Sequence, residues 1–177
     1  HPWFQEARSS PTSPKRDFYV WSDSDTKYAK ARIIFIDTEK SNWTWDPEAK
    51  AFYWHRFFSH QPDLNYDNPE VQKAMLDTME YWLDQGLDGF RCDVAHMVPP
   101  DFWEQARVEL EKVKPDVLLL AEASRPELLV KAFDLDYSWP LHGTLNRVLL
   151  EGAPATDLRR SWEETRRQFP QGSIHMR

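Results

Sequence analysis

One cysteine and five glycines in 177 residues close off several possibilities at once. With Cys92 alone, neither a disulfide framework nor a cysteine metal cluster can form within the chain. So few glycines leave little material for a phosphate-cradling loop, and none of the phosphate-binding motifs is present. Basic residues are in deficit: 22 Lys and Arg face 29 Asp and Glu, a formal net charge of -7. That balance argues against a nucleic-acid partner, which needs clustered cations, and suits a neutral or cationic ligand better. No apolar run reaches membrane-spanning length, so no membrane partner is expected. No leader peptide is legible, and because the chain opens on His1 rather than Met, its compartment stays open.

What is present is enough apolar material, 41% of residues, for the core of one ordinary domain, together with a heavy load of aromatics. Nine Trp, ten Phe and six Tyr are counted, many of them in the first 60 residues, where Trp3, Phe4, Trp21, Trp43, Trp45, Trp54 and Phe57 alternate with polar side chains. Rings in such a setting either stack on sugar faces or fill the core of a small, loop-rich subdomain. For each ring taken singly the core-filling role is preferred.

Residues 1–68 read as a loop-rich subdomain with a few short strands, such as "ARIIFI" at 31–36. After Asn68, an N-cap, and Pro69, a first helical residue, the texture changes. Val71, Met75, Met79, Trp82 and Leu83 recur at helical spacing until Gly86. From there strands alternate with helices. "LDGFRCDVA" is a strand, 101–114 an amphipathic helix, and "DVLLLAEA" a strand whose continuous apolar run predicts cover on both faces. "AFDLDYSW" is a third strand, "LHGTLNRVLLEG" and "TDLRRSWEETRRQF" are helices, and "GSIHMR" begins a further strand. This alternation means a parallel sheet. A doubly wound sheet would carry a glycine-rich first turn, which is missing, whereas a (β/α)8 barrel places functional acids at the C-terminal ends of successive strands. Residues 69–177 therefore read as part of a (β/α)8 TIM barrel in which about four strands can be placed. A whole barrel takes roughly 250 residues, so the expectation is an α/β chain that holds only a piece of one.

Charge enters this core at "LDGFRCDVAHM". On a strand Arg91 and Asp93 share one face while Phe90, Cys92 and Val94 share the other, so the pair is aimed at something. A buried ion pair placed for stability alone is a costly alternative. Asp93 and Glu122 fall at the ends of neighbouring strands, one βα unit apart. Two carboxylates so placed suit glycoside hydrolysis, with Arg91 keeping Asp93 ionised as a nucleophile and the apolar run before Glu122 favouring a protonated acid. The bland alternative for Glu122 is a strand-end acid that caps a helix.

"DGFRCDVA" resembles the nucleophile segment, and "LLLAEA" the general-acid segment, of the α-amylase family, glycoside hydrolase family 13. "QPDLN" at 61–65 resembles a motif of oligo-1,6-glucosidase-like members. The stretch from "HPWFQEARSS" to "WHRFFSHQPDLN" is especially similar to trehalose synthases and related α-glucosidases, and "FDLDYSWPLH" fits a more general amylase or maltodextrin-hydrolase pattern. The resemblance implies Asp93 as nucleophile, Glu122 as acid/base, Arg91 as the group orienting the nucleophile and His96 as a residue touching the sugar on the leaving-group side. It implies a retaining α-glycosidase or transglycosylase acting on α-glucosidic bonds of malto-oligosaccharides or related glucosides, without a cofactor. The alternatives are a trehalose synthase or a non-catalytic carbohydrate-binding relative. The resemblance implies that residues 1–68 are a subdomain inserted after barrel strand 3 and that 69–177 are the central part of the barrel, about strands 4 to 7. The family's third acid, in an Asn-His-Asp segment, and its earlier Asn-His segment are not in the chain, so it is expected to be incomplete at both ends and inactive by itself. Asp63 matches a structural calcium position of many α-amylases, but Met97 stands where a histidine ligand would be. A thioether suits calcium poorly, so no such metal site is expected. The resemblance leans towards the cytoplasm; linkage preference and oligomeric state stay open.

Overall fold

The computed structural model describes residues 1–176; Arg177, which the sequence reading includes in the last strand, lies outside the described residues. The chain divides into two compact units, His1–Ala74 and Met75–Arg177.

The first unit opens with α1 (Pro2–Ser9), whose amide at Trp3 donates to the His1 side chain. Three short strands follow, β1 (Trp21–Ser22), β2 (Trp43–Asp46) and β3 (Ala51–Trp54), in an antiparallel sheet of order β1-β3-β2. Asp46 shapes the turn after β2: its Oδ1 accepts from the amides of Glu48 at 3.0 Å and Ala49 at 2.8 Å. Aromatic rings supply the core. Phe18, Tyr19, Trp43 and Tyr53 are buried, and Phe4 packs edge-on against Tyr19 and Tyr53 with centroids 5.0 Å apart in both cases. The segment 31–36 is not a strand. The Ala31 and Arg32 carbonyls accept from Asn42 Nδ2 at 3.3 and 3.4 Å, so a side-chain amide takes the place of a ladder partner.

The next helix, α2 (Pro69–Asp84), starts as its sequence predicts, with Asn68 Oδ1 accepting from the Glu70 amide at 2.9 Å. It ends at Gly86, whose φ of 98° suits glycine, with its amide on the Leu83 carbonyl at 2.8 Å. Val71 and Leu83 are buried; Trp82 is exposed, packing edge-on against Tyr81 instead of joining that stripe. The division between the units falls inside α2, after Ala74.

The second unit runs β4 (Gly89–Cys92), α3 (Pro100–Val113), β5 (Leu118–Ala121), β6 (Leu135–Tyr137), α4 (Trp139–Leu150), α5 (Thr156–Gln168) and β7 (Ile174–Met176). Its four strands are parallel in the order β4-β5-β6-β7. Each strand lies beside its predecessor, as in a barrel, with no reversal of the kind that marks a doubly wound sheet.

Register separates two faces. Cys92, Leu119, Ala121 and Asp136 are buried on one; Leu118, Ile174 and Met176 are exposed on the other. The apolar run of β5 is therefore covered on one face only, with Leu118 53% exposed, because the second face is the one that carries Arg91. Burial pushes the Cys92 thiol up to about 12. Two features fix the sheet. Gly89 sits so close to β5 that a Cβ there would lie 2.0 Å from the Leu118 carbonyl oxygen. Arg107 of α3, 9% exposed, donates to the carbonyls of Ala132 at 2.8 Å and Val117 at 3.0 Å and to Asp134 Oδ2 at 2.6 Å. The same Asp134 oxygen accepts from the Leu119 amide at 2.7 Å, so one ion pair ties α3 to the start of β5 and to the end of the connection that leads into β6. No helix among the described residues is long and apolar enough to cross a membrane.

Arg107→Ala takes the cation from Asp134 and the donor from two carbonyls and is expected to destabilise the protein by about 1–3 kcal/mol, read as a lower urea midpoint. Gly89→Ala forces β4 and β5 apart and is expected to cost at least ~1–3 kcal/mol in the same measurement. Cys92 is expected to resist iodoacetamide at pH 8 in native protein and to react once urea unfolds it, a contrast seen directly by mass spectrometry.

Candidate active site

The register of β4 and β5 builds the site. Arg91 pairs with Leu120 and Cys92 with Ala121, so the next residues, Asp93 and Glu122, come level as the strands end. The Glu122 amide donates to the Cys92 carbonyl at 2.9 Å and holds that level. Arg91 joins the two acids. Its Nη1 bonds Asp93 Oδ1, and its Nη2 lies 2.7 Å from Glu122 Oε1. A planar guanidinium with paired N–H groups can serve two carboxylates at once.

The second oxygen of Glu122 is also engaged, accepting from the Val94 amide at 2.9 Å. Val94 stands at φ 41°, ψ 43°, a left-handed conformation uncommon for a β-branched residue. The chain turns sharply after Asp93, and in that turn the Val94 N–H points at Glu122. Local strain of this kind persists where surrounding structure enforces it.

Solvent reaches the group unevenly. The Asp93 side chain is 68% exposed, that of Arg91 43% and that of Glu122 22%. The apolar run before Glu122 predicts a buried carboxyl; instead an ion pair and an amide hold it at the edge of the open sheet face. The Arg91 pKa is raised, first by its hydrogen bond with Tyr137, then by that with Asp93 and by the charge of Glu122. It therefore stays a cation at any working pH.

Three of the four residues singled out from sequence thus come together: Arg91, Asp93 and Glu122. His96 does not join them. It is exposed in the single helical turn Ala95–Met97, and no hydrogen bond or ion pair links it to the other three among the described residues. Sequence reasoning passed over Tyr137, whose hydroxyl accepts from Arg91 Nε at 3.3 Å. The strand alternation at 135–137 was the available signal, since it puts Tyr137 on the Arg91 face. The Val94 amide had no comparable signal.

Among the described residues no group of three or more His, Cys, Asp or Glu is placed to hold an ion. Asp63 accepts from the Arg56 amide at 3.1 Å, and burial raises its pKa above the usual carboxylate value.

Comparison with known proteins places this geometry in context. Over 138 residues the chain is 52% identical to the trehalose synthase/amylase TreS of Mycolicibacterium smegmatis, a match covering 71% of this chain and 23% of that protein. It is 67% identical over 93 residues to the trehalose synthase of Pimelobacter sp. (strain R48), covering 52% of this chain and 16% of that one. The crystal structure of an alpha-amylase from H. orenii superposes with a TM-score of 0.79 at 32% identity, over 95% of this chain and 36% of that one. The chain therefore spans about a quarter or less of the length of these curated relatives. Its parallel strands correspond to part of the TIM barrel of alpha-amylase family enzymes. The profile described as "Alpha amylase, catalytic domain" matches residues 1–131, and the chain belongs to the alpha-amylase catalytic-domain family.

Proposed function

We propose that the protein cleaves α-glucosidic bonds by double displacement with retention, Asp93 acting as nucleophile and Glu122 as acid/base. The observation that carries this reading is the single Arg91 guanidinium that touches both carboxylates. One cation in contact with both acids gathers them on a single sheet face, as two carboxyl groups that act on one glycosidic bond require.

In the first half, an Asp93 oxygen attacks the anomeric carbon of a glucosyl unit while Glu122 protonates the departing glycosidic oxygen. A glucosyl ester on Asp93 results, and Glu122 is left as a carboxylate. In the second half, Glu122 takes a proton from an incoming hydroxyl, whose oxygen attacks the anomeric carbon and frees Asp93. Two inversions restore the α configuration. Arg91 keeps the nucleophile's carboxylate oriented, and Val94 N–H does the same for one oxygen of Glu122. The substrate class is an α-glucan, a malto-oligosaccharide or a related α-glucoside.

A second reading has its own support. Identity of 67% to a trehalose synthase favours a sugar hydroxyl, rather than water, as the acceptor in the second half. Under that reading the protein moves a glucosyl unit to form an α,α-1,1 bond. His96, on the exposed turn after Asp93, is assigned to sugar contact in either case.

In the full-length protein, Glu122→Gln is expected to lower kcat on an unactivated α-glucoside about 10²- to 10⁴-fold. Aryl glucosides with good leaving groups should lose less in the first half-reaction, because they need no proton. Asp93→Asn is expected to abolish the glucosyl ester, detected as loss of the covalent adduct in intact-mass spectra. Wild-type turnover by either variant would sink the assignment. Product analysis with maltose separates the two readings: glucose alone marks a hydrolase and trehalose marks a synthase.

A further inference from the structure

We infer that Tyr137 is a positioning residue for the reaction, anchoring Arg91 so that one guanidinium can serve Asp93 and Glu122 together; this rests on the reading given under Proposed function. The inference starts from the register. Leu120 pairs with Leu135, which brings Tyr137, two residues on, level with Glu122 and onto the same sheet face. Its backbone amide donates to the Ala123 carbonyl at 3.0 Å, immediately after Glu122. Tyr137 is thus tied to the strand end that carries one carboxylate, while its side chain reaches the cation that holds both.

Two contacts make the side chain an anchor. The hydroxyl accepts from Arg91 Nε at 3.3 Å, and the guanidinium carbon lies 5.9 Å from the ring centroid. Those contacts use the Nε edge of the guanidinium and leave both Nη groups for the acids. Without the hydroxyl, nothing on β6 fixes rotation of the guanidinium about its long, flexible stem. Arg91 could then turn its Nε and Nη2 edge onto one carboxylate and abandon the other. The ring is itself held: Trp139, at the start of α4, meets it edge-on with centroids 5.8 Å apart. On this face of the sheet the charged and titratable groups beside Tyr137 are Arg91 on β4, Asp93 just after it and Glu122 after β5. Its partner on β7 is Met176, which carries no charge.

The chemistry explains why an anchor is useful. During the first half-reaction Glu122 gives up its proton and Asp93 loses its negative charge to the ester, so the pull on Arg91 shifts from one acid to the other. In the second half the shift reverses. A cation held only by the acids would follow that shift, whereas one fixed from a third side stays in place through both halves.

The test uses the full-length protein. Tyr137→Phe keeps the ring and removes the hydroxyl; it is expected to lower kcat roughly tenfold, the scale of a lost hydrogen bond to a charged group, with KM changed less than about twofold. In an Arg91→Lys background the same substitution is expected to cost less than about twofold, because the Nε–H that the hydroxyl holds is gone. An unmoved kcat, or an equal loss in both backgrounds, overturns the inference; the second would mark a purely structural role. A measurement independent of turnover follows solvent exchange of the Arg91 Nε–H by ¹⁵N NMR, expected to quicken several-fold in Tyr137→Phe. Unchanged exchange overturns the anchor whether or not the protein turns over a glucoside. Wild-type protein inactive on every α-glucoside would instead refute the proposed function, with the exchange experiment still deciding the anchor.

Discussion

Two carboxylates brought level at the ends of adjacent strands repel each other, and the Arg91 guanidinium between them makes that arrangement tenable. When both are ionised, as they are whenever Glu122 is without the proton it donates, two like charges placed for illustration at roughly 5 Å in an effective dielectric of about 20 oppose one another by about 3 kcal/mol. A single cation shared between them converts repulsion into two attractions. Because Arg91 and Asp93 are both substantially exposed, solvent screens these pairs, and their value is geometric more than energetic. The dependence is on shape as well as charge: a lysine ammonium would be a point charge unable to present separate parallel donors.

The rest of the second unit can be understood as what brings that guanidinium and those acids into line. Gly89 lets β4 approach β5 closely enough for Asp93 and Glu122 to come level. Arg107 and Asp134 fix the start of β5 and the connection to β6 on the buried side, away from the site. Farther along the same buried face, Asp136 on β6 bonds His175 on β7, their register partners, and burial raises the pKa of Asp136. Polar groups thus pin the sheet on one face so that charged groups can be presented on the other. The left-handed Val94 is a local cost tolerated at the one point where the chain must leave the strand and still aim an amide at Glu122.

Much of this was legible in the sequence, for physical reasons that differ from residue to residue. Alternation along "GFRCD" placed Arg91 and Asp93 on one face because side-chain direction in a strand has a period of two. Asn68, Pro69 and Gly86 bounded α2 because capping and positive φ are residue-specific. The segment 31–36 misled because β-branched residues signal extended backbone, whereas Asn42, many residues away, had already claimed the carbonyls. The apolar run of β5 predicted cover on both faces; hydrophobicity alone does not distinguish that from one buried face and one lined by other strands' functional groups. Nothing in local composition announced that Glu122 would be paired rather than buried. That follows from the register between two strands some 30 residues apart, which depends on the whole sheet.

The proposed double displacement would divide the labour of the site in a way that matches the layout of the sheet. Bond breaking needs a nucleophile, an acid and the cation that orders them, and Asp93, Glu122 and Arg91 lie at the ends of two neighbouring strands. The glucosyl ester they would form is the same whether water or a sugar hydroxyl collects it. Choice of acceptor therefore places no demand on these three residues, and a hydrolase and a synthase can share them unchanged. The demand falls on whatever governs which hydroxyl stands over the ester and for how long. Under the proposed reading, the charges on β4 and β5 bear on reaction type, and linkage is decided elsewhere.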